Sequence, residues 1–219
     1  LKFSEKVAVK FSDKVIADNA AIAEHVLTAY NKQAEVIAYG GDHAVKGHLP
    51  AEKEAFSLAL CRIEPENNVK MILEAYAQVP NQSLKFIGNW NNSEFGKELK
   101  NRFGVFNNIE LIDPIYDLEQ LFKLRSKAAR YIHGHSAGGT NPSLVEMMFF
   151  DLPIYCFDCN YNRASTEDKA MYFSSSENLV ELLNTKNEDL TIAKQMLEVS
   201  KRRYTWSIVK QQYENLFND

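Results

Sequence analysis

The sequence has few cysteines and no long apolar run, and these absences narrow the class of protein. Only three of its 219 residues are cysteine. No stretch approaches the roughly 20 apolar residues that a membrane-spanning helix requires. We therefore expect reduced thiols rather than a disulfide framework, and no membrane span. The amino end, Leu1–Lys6, is polar and charged and does not predict a signal peptide, so a cytoplasmic location is expected.

An excess of basic charge is also lacking. The chain has 25 Lys and Arg against 29 Asp and Glu, a formal net charge of -4. Because a nucleic-acid binder needs positive charge to neutralise phosphates, we expect no nucleic-acid partner. The Gly-x-Gly-x-x-Gly motif typical of dinucleotide-dependent dehydrogenases is absent as well. With 45% hydrophobic and 25% charged residues, the composition is that of an ordinary globular protein and excludes disorder.

Short apolar runs alternate with longer amphipathic stretches, which is the pattern of a parallel sheet covered by helices. The regular part of this alternation predicts six strands, over residues 56–62, 84–88, 109–112, 131–133, 153–157 and 171–173. It predicts helices over 67–78, 93–103, 117–126 and 142–150, and an all-helical tail from residue 176. The predicted fold class is therefore α/β, a doubly wound parallel sheet of the Rossmann-like type.

The first part of the chain predicts only two strands, over 14–18 and 34–39, with a helix between them that Asn19 caps. Two strands cannot bury a sheet face on their own. We therefore interpret them as a short remnant of a preceding α/β domain. The segment 43–54 has no periodicity and contains Gly47 and Pro50, so it predicts the boundary.

A glycine-rich segment between a buried strand and a helix is the most informative motif. It reads His-Gly-His-Ser-Ala-Gly-Gly-Thr-Asn-Pro-Ser-Leu-Val-Glu over residues 133–146. Thr140 or Asn141 can cap the helix, and Pro142 suits its first position. Such a junction presents backbone N–H groups at the carboxyl edge of the sheet, which suits a diphosphate, with Glu146 placed to reach ribose hydroxyls. The alternative is an ordinary tight turn with Glu146 in solvent.

A second motif is Cys-Arg-Ile-Glu-Pro-Glu-Asn-Asn, over residues 61–68. It places Arg62 at the carboxyl end of the first strand of the regular sheet, where a guanidinium can clamp a phosphate. The alternative is a surface salt bridge from Arg62 to Glu64 or Glu66.

Taken together, the segments 38–42, 61–68, 84–88 and 135–146 resemble the carboxyl-terminal half of GT-B glycosyltransferases of family 4 type. The resemblance covers essentially the whole chain and is closest to rhamnosyltransferase-like proteins of bacterial polysaccharide assembly. The closing segment from Tyr204 to Tyr213 resembles the crossover helix of such enzymes. The resemblance thus implies three parts: a remnant of the acceptor-side domain with its linker over 1–54, a nucleotide-sugar-binding domain over 55–203, and a crossover helix over 204–219.

The resemblance also assigns roles to residues. Glu146 matches the second glutamate of the family's Glu-x7-Glu motif, which binds the nucleotide ribose, and Arg62 matches the phosphate-binding arginine, so these two are the candidate catalytic residues. Two positions depart from the family: Gly138 replaces the first glutamate, and Asn67 replaces the phosphate-binding lysine. The other candidate substrate-binding residues are His135, Gly88, Gly139, Thr140 and Asn141.

The function implied is transfer of a hexose or deoxyhexose from a nucleoside diphosphate sugar to a saccharide or lipid-linked acceptor. No Asp-x-Asp triplet occurs, which agrees with metal-independent GT-B chemistry, and no cofactor is implied. The full-length protein could associate peripherally with a membrane. Because the acceptor wall and the catalytic base would lie in the preceding domain, we expect the isolated chain to be inactive. A non-catalytic nucleotide-sugar-binding module is the alternative.

Two further interpretations concern His133, His135, Cys156 and Cys159. Together they could approach a four-ligand zinc site, although their spacing fits no standard module. A thioredoxin-like reading of the Cys156–Cys159 pair is weaker, because no apolar-periodic helix follows it. We expect no metal site.

Overall fold

A computed structural model describes residues 2–185 and 189–218. Parts of the predicted helical tail, residues 186–188 and 219, lie outside the described residues, as does Leu1. The strands are β1 (Ile16–Ala17), β2 (Glu35–Val36), β3 (Glu54–Leu60), β4 (Ser83–Ile87), β5 (Ile109–Ile112), β6 (Ala128–His133), β7 (Ile154–Phe157) and β8 (Met171–Phe173).

Ten α-helices are described. They are α1 (Lys2–Phe11), α2 (Ala20–Tyr30), α3 (Val69–Ala77), α4 (Glu94–Phe103), α5 (Leu118–Lys127), α6 (Pro142–Met147), α7 (Asn160–Thr166), α8 (Ser176–Asn184), α9 (Asp189–Arg203) and α10 (Trp206–Asn218). Three short 3-10 turns, Asp42–Ala44, Pro65–Asn67 and Met148–Phe150, lie between them. None of the helices in the described part of the chain is both long and apolar enough to cross a membrane.

Six strands form one sheet in the order β5-β4-β3-β6-β7-β8, and every neighbouring pair is parallel. This is the Rossmann strand order, in which the chain starts at the centre, builds one half of the sheet and then crosses to build the other. The predicted fold class, an α/β doubly wound parallel sheet, is confirmed. The strand order reverses direction between β3 and β6, where Leu58 pairs with Tyr131.

Helices cover both faces of this sheet. On one face, Leu58 and Tyr131 pack with apolar residues of α5, α6 and α9. On the other face, Ala59 and Ile132 pack with apolar residues of α3, α4 and α8. Because both faces are buried, the central strands are nearly continuous apolar runs rather than alternating ones.

The short strands β1 and β2 form a separate two-stranded parallel sheet. It is joined to the six-stranded unit through Asn19, which is buried and whose Nδ2 lies within hydrogen-bond distance of Thr140 Oγ1, the Tyr161 carbonyl and Ser165 Oγ at 3.1–3.2 Å. The backbone N–H of Gly41 also donates to the Tyr204 carbonyl, at 2.7 Å. The first 40 residues therefore have their own sheet but share polar contacts with the larger unit.

The sequence pattern misses two helices. For α1 the polar and charged start gave no prediction, although Val9 is buried on its inner face. For α7 the sequence shows no apolar-periodic helix after Cys159, yet Asn160–Thr166 is helical. Its buried residues are the polar Asn162, Ser165 and Thr166, so apolar periodicity could not show it.

Candidate ligand-binding site

The candidate site lies where the strand order of the six-stranded sheet reverses. Open parallel sheets bind ligands at the carboxyl ends of their strands, in the crevice at this point. Arg62 lies two residues after the end of β3, and His135 lies two residues after the end of β6. Since β3 and β6 are adjacent, the fold brings the two sequence motifs to the same crevice.

Asn67 joins the two motifs across the crevice. Its buried side chain donates from Nδ2 to the Arg62 carbonyl at 2.8 Å, and its Oδ1 lies 2.7 Å from Nδ1 of His135. With the amide nitrogen committed to Arg62, Oδ1 accepts and the His135 proton lies on Nδ1. Asn67, at the position where the family has a lysine, thus contributes structural hydrogen bonds rather than a positive charge.

Further bonds fix the same two loops. Asn68 Nδ2 donates to the Gly134 carbonyl at 2.8 Å, and Ser136 donates from both its N–H and its hydroxyl to the Glu66 carbonyl, at 3.0 and 2.8 Å. A Cβ on Gly134 would overlap the Asn67 carbonyl oxygen. The close approach of the two backbones therefore requires glycine at position 134.

The loop from Ala137 to Asn141 carries several of the predicted contacts. Ala137 and Gly138 are exposed, and Gly138 has φ +96°, a conformation that favours glycine. The Nε2 atom of His135 faces this glycine, 3.6 Å from where a Cβ would lie. Asn141 caps α6 by accepting from Ser143 N at 2.9 Å.

Thr140 and Gly139 meet the first part of the chain instead of open solvent. The buried Thr140 hydroxyl donates to the Asp18 carbonyl at 2.5 Å. A Cβ on Gly139 would overlap the Asp18 carboxylate. Asp18 and Asn19 therefore border the candidate site. The sequence predicts Asn19 as a helix cap, and this is confirmed because its Oδ1 accepts from Ala21 N at 2.9 Å. The sequence does not indicate that Asn19 also borders the candidate site.

The Glu146 carboxylate is held by two other side chains. Its Oε2 accepts from Arg125 Nη2 at 2.5 Å, and its Oε1 lies 3.2 Å from Nε2 of His43. The Arg125 side chain is only 8% exposed and the Glu146 side chain 16%, so this ion pair is largely removed from water. The sequence indicates neither partner, because Arg125 lies in a predicted helix and His43 in the aperiodic segment 43–54.

Arg62 and Gly88 occupy contrasting environments. The Arg62 side chain is 73% exposed and forms a surface ion pair with Glu64 at 3.6 Å, which is the alternative that the sequence left open. Gly88 is buried, its N–H donates to the Ile112 carbonyl, and a Cβ there would overlap Ile63. Arg62 is therefore an exposed cation paired with Glu64, whereas Gly88 is required by the close packing of Ile63.

The charges near the crevice influence one another. The pKa of the Glu66 carboxyl lies below its ordinary value, mainly through a hydrogen bond from its own backbone and also through the charges of Arg62 and His135. The pKa of His135 is lowered mainly by burial, and the Arg62 charge lowers it further. The charge of Arg62 thus influences the pKa of both Glu66 and His135, which lie in the two loops of the crevice.

The alternative zinc and redox interpretations concern His133, His135, Cys156 and Cys159. Among residues 2–185 and 189–218, no group of three or more His, Cys, Asp or Glu side chains is arranged to hold a metal ion. Burial raises the pKa of both the Cys156 and the Cys159 thiols. Neither thiol therefore has the lowered pKa of a redox-active cysteine.

His133 is fully buried, and burial lowers its pKa to about 3 from 6.5. Its Nε2 has no hydrogen-bond partner within the described residues. The folded protein therefore holds His133 neutral, while the unfolded chain binds a proton below pH 6.5. Stability linked to this group is fully present above pH 6.5 and is lost as the pH falls from 6.5 towards 3.

As the pH falls from 7 to 5, we expect His133 to lower the free energy of unfolding by about 2 kcal/mol. The slope is about 1.4 kcal/mol per pH unit below pH 6.5. Urea unfolding of the unaltered chain and of His133→Gln at both pH values measures this, because groups other than His133 contribute equally to both proteins. Parallel pH profiles for the two proteins would contradict the expectation.

The fold defines a Rossmann-like α/β unit, and the crevice at its switch point is a candidate ligand site. Solved structures with a similar fold include GT-B glycosyltransferases. HepE from Anabaena, solved with UDP-glucose, is 19% identical, with a TM-score of 0.80 over 100% of this chain and 67% of that chain. Sucrose-phosphate synthase from Thermosynechococcus elongatus is 17% identical, with a TM-score of 0.80 over 99% of this chain and 60% of that one.

TarM from S. aureus is 14% identical, with a TM-score of 0.78 over 100% of this chain and 46% of that one. The chain thus spans about half of TarM and 60% of the sucrose-phosphate synthase. No family model matches the chain, and no curated protein matches it by sequence. At these identities the likeness shows the fold, which is that of the GT-B carboxyl-terminal domain.

Proposed function

We propose that this chain is the donor-binding part of a retaining GT-B glycosyltransferase. It would bind a nucleoside diphosphate sugar for transfer of a hexose or deoxyhexose to a saccharide or lipid-linked acceptor, in the manner of the rhamnosyltransferase-like proteins of polysaccharide biosynthesis. The single observation that carries the proposal is the convergence of Arg62, His135 and the glycine-rich loop on the switch-point crevice.

The solved neighbours support the choice of ligand. HepE was crystallised with UDP and with UDP-glucose, and the pneumococcal O-GlcNAc transferase GtfA with UDP and GlcNAc. The latter is 15% identical, with a TM-score of 0.71. Two groups would hold the phosphates, namely the exposed guanidinium of Arg62, which would exchange Glu64 for the ligand, and the backbone N–H groups of the loop 137–139.

The chemistry follows from where charge develops. In sugar transfer the diphosphate leaves with extra negative charge, and donors placed at that position lower the barrier. Arg62 and the loop amides would stabilise this charge, while Glu146 would hold the ribose. Within this proposal residues 1–54 belong to the acceptor-side domain, 55–203 form the donor domain, and 204–219 form the crossover helix of a cytoplasmic protein.

The test of donor binding is calorimetry with UDP, with and without a chelator. We expect UDP to bind equally well in both conditions, because the guanidinium and amides meet the phosphate charge without a cation. Arg62→Ala should weaken binding by about 1.5 to 3 kcal/mol, the usual contribution of a charge-assisted bond. Lys97→Ala, an exposed cation on α4 paired with Glu94, is the matched control. Affinity lost with the chelator and restored by magnesium would contradict metal independence.

The second candidate function is a binding module without catalysis. A sugar-transfer assay distinguishes it from the donor-binding part of an active transferase. We expect this chain alone to bind donor but to transfer sugar far below the rate of a protein that also carries an acceptor domain. Alignment of two reactants supplies roughly 7 to 11 kcal/mol of barrier reduction, and one wall of the cleft cannot provide it. Comparable turnover by this chain and by such a two-domain protein would contradict the expectation. A two-domain protein that binds UDP but never transfers would favour the binding module.

A further inference from the structure

Four side chains in contact connect Glu146, the residue proposed to bind the ribose, to Trp206 at the start of the last helix. Trp206 Nε1 donates to His43 Nδ1 at 3.0 Å, His43 Nε2 lies 3.2 Å from Glu146 Oε1, and Glu146 Oε2 accepts from Arg125. These side chains come from α10, the 3-10 turn after β2, α6 and α5, which are distant in sequence.

The position of Trp206 is itself fixed. Its backbone N–H donates to the Asp42 carboxylate at 2.9 Å, and its ring lies against Gly40, where a Cβ would come within 2.6 Å of ring atoms. The indole N–H is therefore held in place at the neighbouring His43.

This arrangement decides which nitrogen of His43 carries the proton. An indole nitrogen can only donate, so Nδ1 of His43 must offer its lone pair to Trp206. In the neutral ring the proton is then on Nε2, which lies 3.2 Å from Oε1 of Glu146. Trp206 thus selects the tautomer whose N–H lies beside the Glu146 carboxylate.

A carboxylate has about four lone-pair positions, two on each oxygen. Arg125 occupies one on Oε2 and His43 lies beside Oε1, so at least one position stays open on each oxygen. A carboxylate with an open position on each oxygen can accept from two neighbouring hydroxyls, as on a ribose.

We propose that His43 is a positioning residue for nucleotide recognition, with Trp206 fixing its tautomer so that Glu146 is held ready for the two ribose hydroxyls. This inference depends on the proposed function, because it requires that a nucleotide binds at Glu146.

Binding of UDP and of 2′,3′-dideoxy-UDP, which lacks both hydroxyls, tests the proposal. The unaltered chain should prefer UDP. His43→Ala should weaken UDP binding about fivefold, the factor supplied by one hydrogen bond of ordinary strength, and should leave dideoxy-UDP binding unchanged. His43→Gln should restore UDP affinity, because its amide accepts from Trp206 and donates to Glu146.

Trp206→Phe keeps a ring against Gly40 and removes the N–H. It should weaken UDP binding in the unaltered chain but not in His43→Gln, since an amide nitrogen always carries its hydrogens. Thermal unfolding of each variant, followed in parallel, checks that all are folded at the binding temperature.

Each alternative outcome has a distinct meaning. If the unaltered chain binds no UDP, the proposed function fails and the inference falls with it. If UDP binds but His43→Ala binds it equally well, or loses both nucleotides equally, or is not rescued by His43→Gln, only the inference is overturned. An equal effect of Trp206→Phe in both backgrounds overturns the assignment of the tautomer to Trp206.

Discussion

Gly134→Ala should lower the unfolding free energy by about 3 kcal/mol, at the upper end of what overpacking a tight interior costs. The added methyl would overlap the Asn67 carbonyl oxygen, which is backbone and cannot rotate away. The loop of Asn67 would have to move, and the bonds from Asn68 to the Gly134 carbonyl and from Asn67 to His135 would lengthen or break. Urea denaturation measures the change.

Gly47→Ala is the matched control for this substitution. Gly47 is exposed, and a Cβ there would lie 3.7 Å from the Phe122 ring, an ordinary contact distance. We expect a change of less than about 0.5 kcal/mol, as for most surface substitutions. Equal effects at positions 47 and 134 would show that the two crevice loops are not packed as described.

Glu146→Ala should destabilise the fold by about 3 kcal/mol, because removing one partner of a buried ion pair leaves the other charge uncompensated. That charge is on Arg125, whose guanidinium has Glu146 as its acceptor and whose Nε has no partner within the described residues. The same substitution should weaken UDP binding by about 1 to 3 kcal/mol if the carboxylate holds the ribose.

A double substitution separates the two effects of Glu146→Ala. Replacing Arg125 by methionine as well removes the unpaired charge, and buried ion pairs are often replaced by apolar residues at little cost. Arg125→Met with Glu146→Ala should therefore recover most of the stability in thermal or urea unfolding while UDP affinity stays reduced. Affinity that returned together with stability would remove Glu146 from the nucleotide site.

The sequence predicts the six-stranded sheet well, because strands that are buried on both faces appear in the sequence as short apolar runs. Two strands, 109–112 and 171–173, have the predicted bounds. At the centre, β3 begins at Glu54 and β6 at Ala128, both earlier than predicted. Glu54 and Ala128 pair with each other ahead of a register shift, so the extra length comes from tertiary pairing that no local pattern shows.

The site is predicted less completely, for a physical reason. Arg62, His135 and Glu146 are visible in the sequence because strand ends and a glycine-rich turn mark them. The sequence does not indicate Arg125 and His43, the two partners of Glu146. Each comes from an element with an unrelated local pattern and meets Glu146 only after folding. The three-way contact of Asn19 with Thr140, Tyr161 and Ser165 is hidden in the same way.

If a nucleotide sugar binds in this crevice, as proposed, a change in its sugar preference is limited by residues that also hold the fold together. Asn67, Thr140 and Asn141 bond to the protein's own groups through their side chains, so changing them alters the scaffold before it alters selectivity. Arg62 and Ala137 are exposed at the rim. A combinatorial library aimed at a new sugar would therefore vary Arg62 and Ala137 and leave Asn67, Thr140 and Asn141 unchanged.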